Sequence, residues 1–216
     1  MSAELSLWNK GLDQIPDWVW EWTELETLIL AGNRLTEISG RISTMQKLRT
    51  LDLAHNRLAH LPDHLGELTG LSDFLYLHHN ELTAIPSSMV RLKKLRYLNL
   101  SENTLYEFPE PVCSMTALVE LRMTDNEIDA LPESIANLAQ LRELHLRNNR
   151  LKTLPASIDR LVELRHLDLR GNPLQSIPHS IASLPRLEKL DLRWVPSLGR
   201  PHWVDDLESR GCLVYR

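Results

Sequence analysis

The sequence predicts an α/β solenoid, a horseshoe with a parallel inner sheet and irregular or helical outer segments. Three observations predict it. A unit of about 23 residues returns from end to end of the 216-residue chain, and such a recurrence must be settled before any single element is assigned. Each unit opens with strand-like alternation and closes with apolar residues three or four apart. In Leu141–Glu163 these are Leu141, Leu144 and Leu146, then Leu154, Ile158 and Leu161. A unit this short cannot bury both its faces alone, so copies must stack on one another.

Taken in order, residues 1–24 read as an N-terminal cap with a partial repeat. Leu5, Leu7, Leu12, Ile15-Pro16, Val19 and Trp22 follow the pattern, but Lys10 stands where later copies carry asparagine. A terminal rung has no upstream neighbour to serve, so that loss costs less there. Trp8, Trp18, Trp20 and Trp22 crowd the segment and are expected to cover the open end of the core.

Residues 25–192 hold seven full copies and the start of an eighth. Their asparagines fall at Asn33, Asn56, Asn80, Asn103, Asn126, Asn149 and Asn172, each followed two residues on by Leu or Ile. An apolar-proline pair then recurs from Leu61-Pro62 to Ile177-Pro178, with Ile38-Ser39 in its place in the first full copy. Leucines at the first, fourth and sixth positions alternate inward along a short strand. The Asn side chain, both donor and acceptor, can satisfy backbone groups of its own turn and a neighbouring one, forming a ladder. Each Pro fixes φ where the chain turns back. One copy is a residue longer, with the extra residue near Ser72–Asp73, which reads either as a single insertion that a solenoid tolerates or as a bulge that re-aims neighbouring side chains.

Residues 193–216 read as a C-terminal cap. Val195 replaces the eighth asparagine, Pro201–Arg210 reads as a short helix, and Gly211 supplies a left-handed stop. Trp203, Val204 and Leu207 would face the last rung, and the residues after Gly211 would add an edge strand. Capped at both ends, the chain reads as a complete unit with no room for a catalytic domain.

Seven copies of L-x-x-L-x-L-x-x-N-x-L in register are similar to leucine-rich repeat proteins. The form with L-P-x-x-I-x-x-L resembles the intracellular class of Ras-associated, Scribble and Erbin scaffolds and of small bacterial repeat proteins. That resemblance implies a curved solenoid with a parallel sheet on its inner, concave face.

Composition is ordinary for a globular chain, 43% apolar and 25% charged, and the net charge of −5 argues against a nucleic-acid partner. No apolar stretch is long enough to span a membrane, and the first residues do not read as a secretory signal. The two cysteines, Cys113 and Cys212, lie several rungs apart, beyond disulfide reach. A cytoplasmic setting is expected.

Function must lie on the positions the repeat leaves free, the third, fifth and seventh of each copy. Two groups stand out. Phe74, Tyr76, His78 and Tyr97 make an aromatic patch on adjacent rungs, a typical set of partner anchors. Arg147, Arg170 and Arg193 form a column that reads either as a salt-bridge lattice with Asp168, Asp191 and Glu143 or as a dock for an acidic segment. The aromatic patch, Arg147 and Arg170, with Asn99, Arg122, His145 and Asp168, define the expected binding face. No metal or cofactor set is expected: His55, His78 and His79 lack a completing acid or Cys. His145 beside Asp168 resembles half of a base–orienter pair without a nucleophile, so an enzyme is a minor alternative. Gly32 and Gly171 read as isolated turn residues. The expectation is a monomeric, non-enzymatic scaffold for a protein or peptide, with a secreted bacterial effector as the alternative.

Overall fold

The computed structural model describes residues 3–195 and 197–216. Ten three-residue strands form one open parallel sheet in chain order. They are β1 (Glu4–Ser6), β2 (Thr27–Ile29), β3 (Thr50–Asp52), β4 (Phe74–Tyr76) and β5 (Tyr97–Asn99), then β6 (Glu120–Arg122), β7 (Glu143–His145), β8 (His166–Asp168), β9 (Lys189–Asp191) and β10 (Leu213–Tyr215). Fourth-position leucines pair with fourth-position leucines from Leu5 to Leu190. The third and fifth positions therefore form continuous columns on the open face, opposite the buried leucines.

The strands are short because the backbone turns left-handed three residues after each. Asn9, His55, His79, Glu102, Asp125, Asn148 and Trp194 have φ between 52° and 60°. Gly32 and Gly171 occupy the same place at 71° and 67°, so they belong to a series and are not the isolated turn residues expected. An L-residue there costs about 1–2 kcal/mol, and in the seven full copies the ladder asparagine follows it directly.

Asn126 is representative of that ladder. Its Oδ1 accepts from Leu105 N–H on the preceding rung at 3.1 Å. Its Nδ2 donates to the carbonyl of Leu100, on the preceding rung, at 3.0 Å and to that of Met123, on its own, at 3.3 Å. All seven asparagines repeat the pattern. Asn33 also closes the first rung, taking Lys10 N–H and Leu12 N–H at 3.0 Å each, so Lys10 needs no ladder side chain of its own.

The outer returns are eight 3₁₀ turns of five residues each, from Asp17–Glu21 to His179–Ser183. A 3₁₀ turn rises about 2.0 Å per residue against about 1.5 Å for an α-helix, so fewer residues span the return. Proline precedes seven of the eight turns. Where Ser39 replaces it, the hydroxyl instead accepts from Arg41 N–H at 3.2 Å. At one crossing a Cβ on Gly66 would lie 2.3 Å from the Ser88 carbonyl oxygen, so only glycine fits.

The longer copy absorbs its extra residue where expected. Ser72 and Asp73 N–H both point at the Arg49 carbonyl, and by Phe74 the register with Thr50 is restored. Near the C-terminus α1 (Trp203–Ser209) buries Trp203, Val204 and Leu207, Gly211 is left-handed at φ 86°, and β10 pairs with β9. The N-terminal expectation needs correction. Trp20 alone of the four tryptophans is buried, while Trp8, Trp18 and Trp22 are exposed. Trp8 is a seventh-position residue on the open face, and Trp18 stacks edge-on against Trp22 with centroids 6.1 Å apart.

Asn126→Ala would strand buried backbone groups on two rungs, an expected loss of about 1–3 kcal/mol in urea denaturation. Gly66→Ala should cost a similar ~1–3 kcal/mol through overpacking, and wild-type stability in that variant would refute the close crossing.

Candidate partner-binding face

The aromatic group assembles as a single cluster. Phe74 and Tyr97 are register partners across β4 and β5, and their ring centroids lie 5.5 Å apart. Tyr76 stacks on Phe74 at 5.8 Å, nearly parallel, and reaches Tyr97 at 5.1 Å. Phe74 is 42% exposed, so the bulge before it does not turn it inward. Burial raises the Tyr76 and Tyr97 hydroxyl pKa values, so both stay protonated and able to donate. His78 continues the patch, edge-on to Tyr76 at 6.1 Å.

The histidines beside it differ from expectation. His55 lies 5.0 Å from His78 and 4.5 Å from His79, centroid to centroid. An acid does stand there: Glu102, in the left-handed turn of the next rung, meets His79 Nδ1 at 2.8 Å. His78 Nδ1 is buried without a hydrogen-bond partner. Burial, then the nearby His55, lowers the His78 pKa, while Asp52 and Glu102 oppose.

The charged end of the face is already neutralised. Arg170 grips Asp168, two residues earlier at the end of β8, at 2.8 and 2.5 Å. Arg193 does the same to Asp191 at 2.9 and 2.7 Å, and Asp191 also lies 3.6 Å from Arg170. Burial pushes the Asp191 carboxyl upward, but the Arg193 hydrogen bonds outweigh it and hold the pKa below the ordinary value. Arg147 takes Asp125 at 2.8 Å. Glu143, expected to help neutralise the column, turns instead to His145 at 3.2 Å and His166 at 3.8 Å.

His145 and Asp168 are register neighbours, yet they do not pair. His145 Nε2 faces Glu143 and, at 3.9 Å, Glu120, while Asp168 belongs to Arg170. The base–orienter geometry is therefore not formed. Burial, then the Arg122 guanidinium, lowers the His145 pKa. Glu120, Glu143 and His145 bring donor atoms within 4.8 Å of one another, but Arg122 already binds Glu120. Asn99 is buried, and its Oδ1 accepts from Ser101 N–H at 3.0 Å, leaving it little to offer a partner. Of the ten expected site residues, all lie on this one face. Residues outside the expected set are Glu102 and Asp125, both at the eighth position, and Trp8, 62% exposed on the same face.

A ladder of buried asparagines, a parallel sheet and 3₁₀ returns define a leucine-rich repeat solenoid. The leucine rich repeat family profile matches residues 3–58, 23–82, 46–105, 73–128 and 116–174, and the chain belongs to that family. Among curated relatives, the volume-regulated anion channel subunit LRRC8E of Xenopus laevis is 40% identical over 88 residues, 40% of this chain and 11% of the relative. The human subunit LRRC8A is 35% identical over 96 residues, 44% of this chain and 12% of that protein. The chain thus matches only about a ninth of the length of these relatives. Among solved structures, the leucine-rich repeat domain of the type III effector XopL superposes with a TM-score of 0.86 at 26% identity, covering 99% of this chain and 75% of that one. The plant peptide hormone receptor RGFR1, solved in complex with RGF2, gives 0.76 at 33% identity, covering 89% of this chain and 32% of the receptor.

Both lowered histidines predict a pH effect. A depressed pKa leaves the unfolded chain binding protons first, so this contribution is intact above the ordinary 6.5 and lost as pH falls below it. The midpoint of thermal unfolding should drop between about pH 7.5 and about pH 5.5. It should drop less in a His78→Gln/His145→Gln variant, and an equal drop would remove these two groups as the cause.

Proposed function

We propose that this protein is a non-enzymatic scaffold that holds a protein or peptide partner on the open face of its sheet. One observation carries the reading: Phe74, Tyr76 and Tyr97 form a mutually packed cluster on a face that the core holds in place. Aromatic anchors on a rigid surface dominate many interfaces, and a fixed backbone loses little entropy on binding. The peptide complex of the similar RGFR1 supports the same use of the fold. His78, Arg122, His145 and Arg147 would add polar contacts around the anchor, each already oriented by a neighbouring group.

A cytoplasmic monomer belongs to this proposal, and two buried, unpaired cysteines support the setting. A secreted effector is the second reading, favoured by the fit to the XopL domain over 99% of the chain. The same face would serve in both, and a secretion assay separates them.

Affinity capture followed by mass spectrometry tests the face. A Phe74→Ala/Tyr76→Ala variant should lose the proteins captured by wild type. Its unfolding midpoint should fall by only a few degrees, since about 1 kcal/mol shifts a chain of this size by about 2–4 °C. Undiminished capture by this variant would sink the assignment.

A further inference from the structure

The second position of each copy, which precedes the strand, forms a column along one flank of the sheet. Arg49 there pairs with Asp73 on the next rung, Nε to Oδ2 at 3.2 Å, and Arg165 pairs with Glu188 at 2.9 Å. Between these pairs stand Arg96 and Arg142, separated by Val119 where an acid would serve both. Among the described residues neither arginine has a carboxylate at ion-pair distance, and neither does Lys94. All three are exposed.

These cations surround a concavity of about 820 Å³, floored by Ala117, Val119, Ala139 and the exposed Val162. Lys93 also lines it and is tied to the Ser114 carbonyl at 2.7 Å. The single lining carboxylate, Glu163, is held by Arg186. A second concavity of about 350 Å³ lies at Phe74 and Tyr97, and it shares Arg96 and Val119 with the first. The aromatic anchor and the unpaired cations are therefore contiguous across the sheet edge.

We infer that the partner presents an extended segment mixing acidic and large apolar side chains. Its apolar residues seat at Phe74 and Tyr97, and its carboxylates meet Lys94, Arg96 and Arg142. This places the acidic partner on the flank and not on the Arg147–Arg170–Arg193 column, whose charges are already spent on Asp125, Asp168 and Asp191. A nucleic acid fits less well, because its phosphates recur at every nucleotide and would meet Asp73 and Glu120 at the aromatic concavity, whereas a peptide can seat apolar side chains there and place its carboxylates on the flank. A lipid surface fits less well because a flat bilayer cannot enter two concavities.

The inference rests on the open-face reading, so the test separates them. A short fluorescein-labelled peptide of alternating Glu and Leu is titrated with the whole chain by anisotropy, beside a Lys–Leu peptide, a single-stranded oligonucleotide and phosphatidylserine vesicles. The Glu–Leu peptide should bind and the others should not. Its affinity should fall as salt rises and fall roughly tenfold or more in Arg96→Glu/Arg142→Glu. Failure of that peptide to bind, equal binding by the charge-reversed variant, or preference for the oligonucleotide or vesicles overturns the inference. In affinity capture, loss with Phe74→Ala/Tyr76→Ala but not with Arg96→Glu/Arg142→Glu would remove the flank and leave the open face. The opposite pattern would remove the aromatic anchor.

Discussion

The whole structure depends on one side chain, the buried asparagine that closes each rung. It donates to carbonyls on its own rung and the one before, and accepts an N–H from the one before. No apolar residue could do this, and leaving those groups unpaired away from water would cost more than the hydrogen bonds contribute when made. The ladder therefore fixes the step from rung to rung as well as the turn. Because the step is fixed, residues 23 apart in the chain become neighbours on one surface, and every property of the open face follows from that spacing.

That spacing creates an electrostatic problem that the molecule solves within the fold. Parallel rungs stack like side chains at about 4.8 Å, so three arginines in a column would repel. Asp168 and Asp191, the last residues of β8 and β9, sit two residues before Arg170 and Arg193 and take both guanidinium groups in paired hydrogen bonds. Such pairing lowers repulsion and cancels most of the charge the column would present to a partner, although each guanidinium keeps further N–H groups. The rungs toward the N-terminus carry no arginine at the seventh position, where Trp8, Ala31, Ala54 and Ser101 stand, and need no such compensation.

Most of this was legible from spacing alone. A constant copy length predicts which residues share a column, and Phe74, Tyr97 and Arg122 stand where counting places them, even across the longer copy. What counting cannot reach is competition between neighbours. Asp168 is as close in register to His145 as an orienter would be, but Arg170, two residues further along the same rung, holds it. Glu102 and Asp125 were missed because their position looks like plain turn, although its left-handed backbone directs them toward His79 and Arg147. The tryptophans failed for another reason: residue type indicates burial, but Trp8 occupies a seventh position on the first rung and is 62% exposed.

The distinction between satisfied and unsatisfied charge decides where a partner gains most. A carboxylate arriving at Arg170 meets a guanidinium already neutralised by the buried Asp168, and repulsion from that neighbouring carboxylate opposes it. At Arg96 and Arg142 nothing is displaced, and each new contact adds to the steering of encounter as well as to its stability. Apolar burial at Phe74 and Tyr97 carries no such exchange, because the rings already pack on one another and present their outer surface to water. The favourable path for a ligand thus begins at the aromatic cluster and leaves the sheet at its flank, following the groups that the fold itself has left without partners.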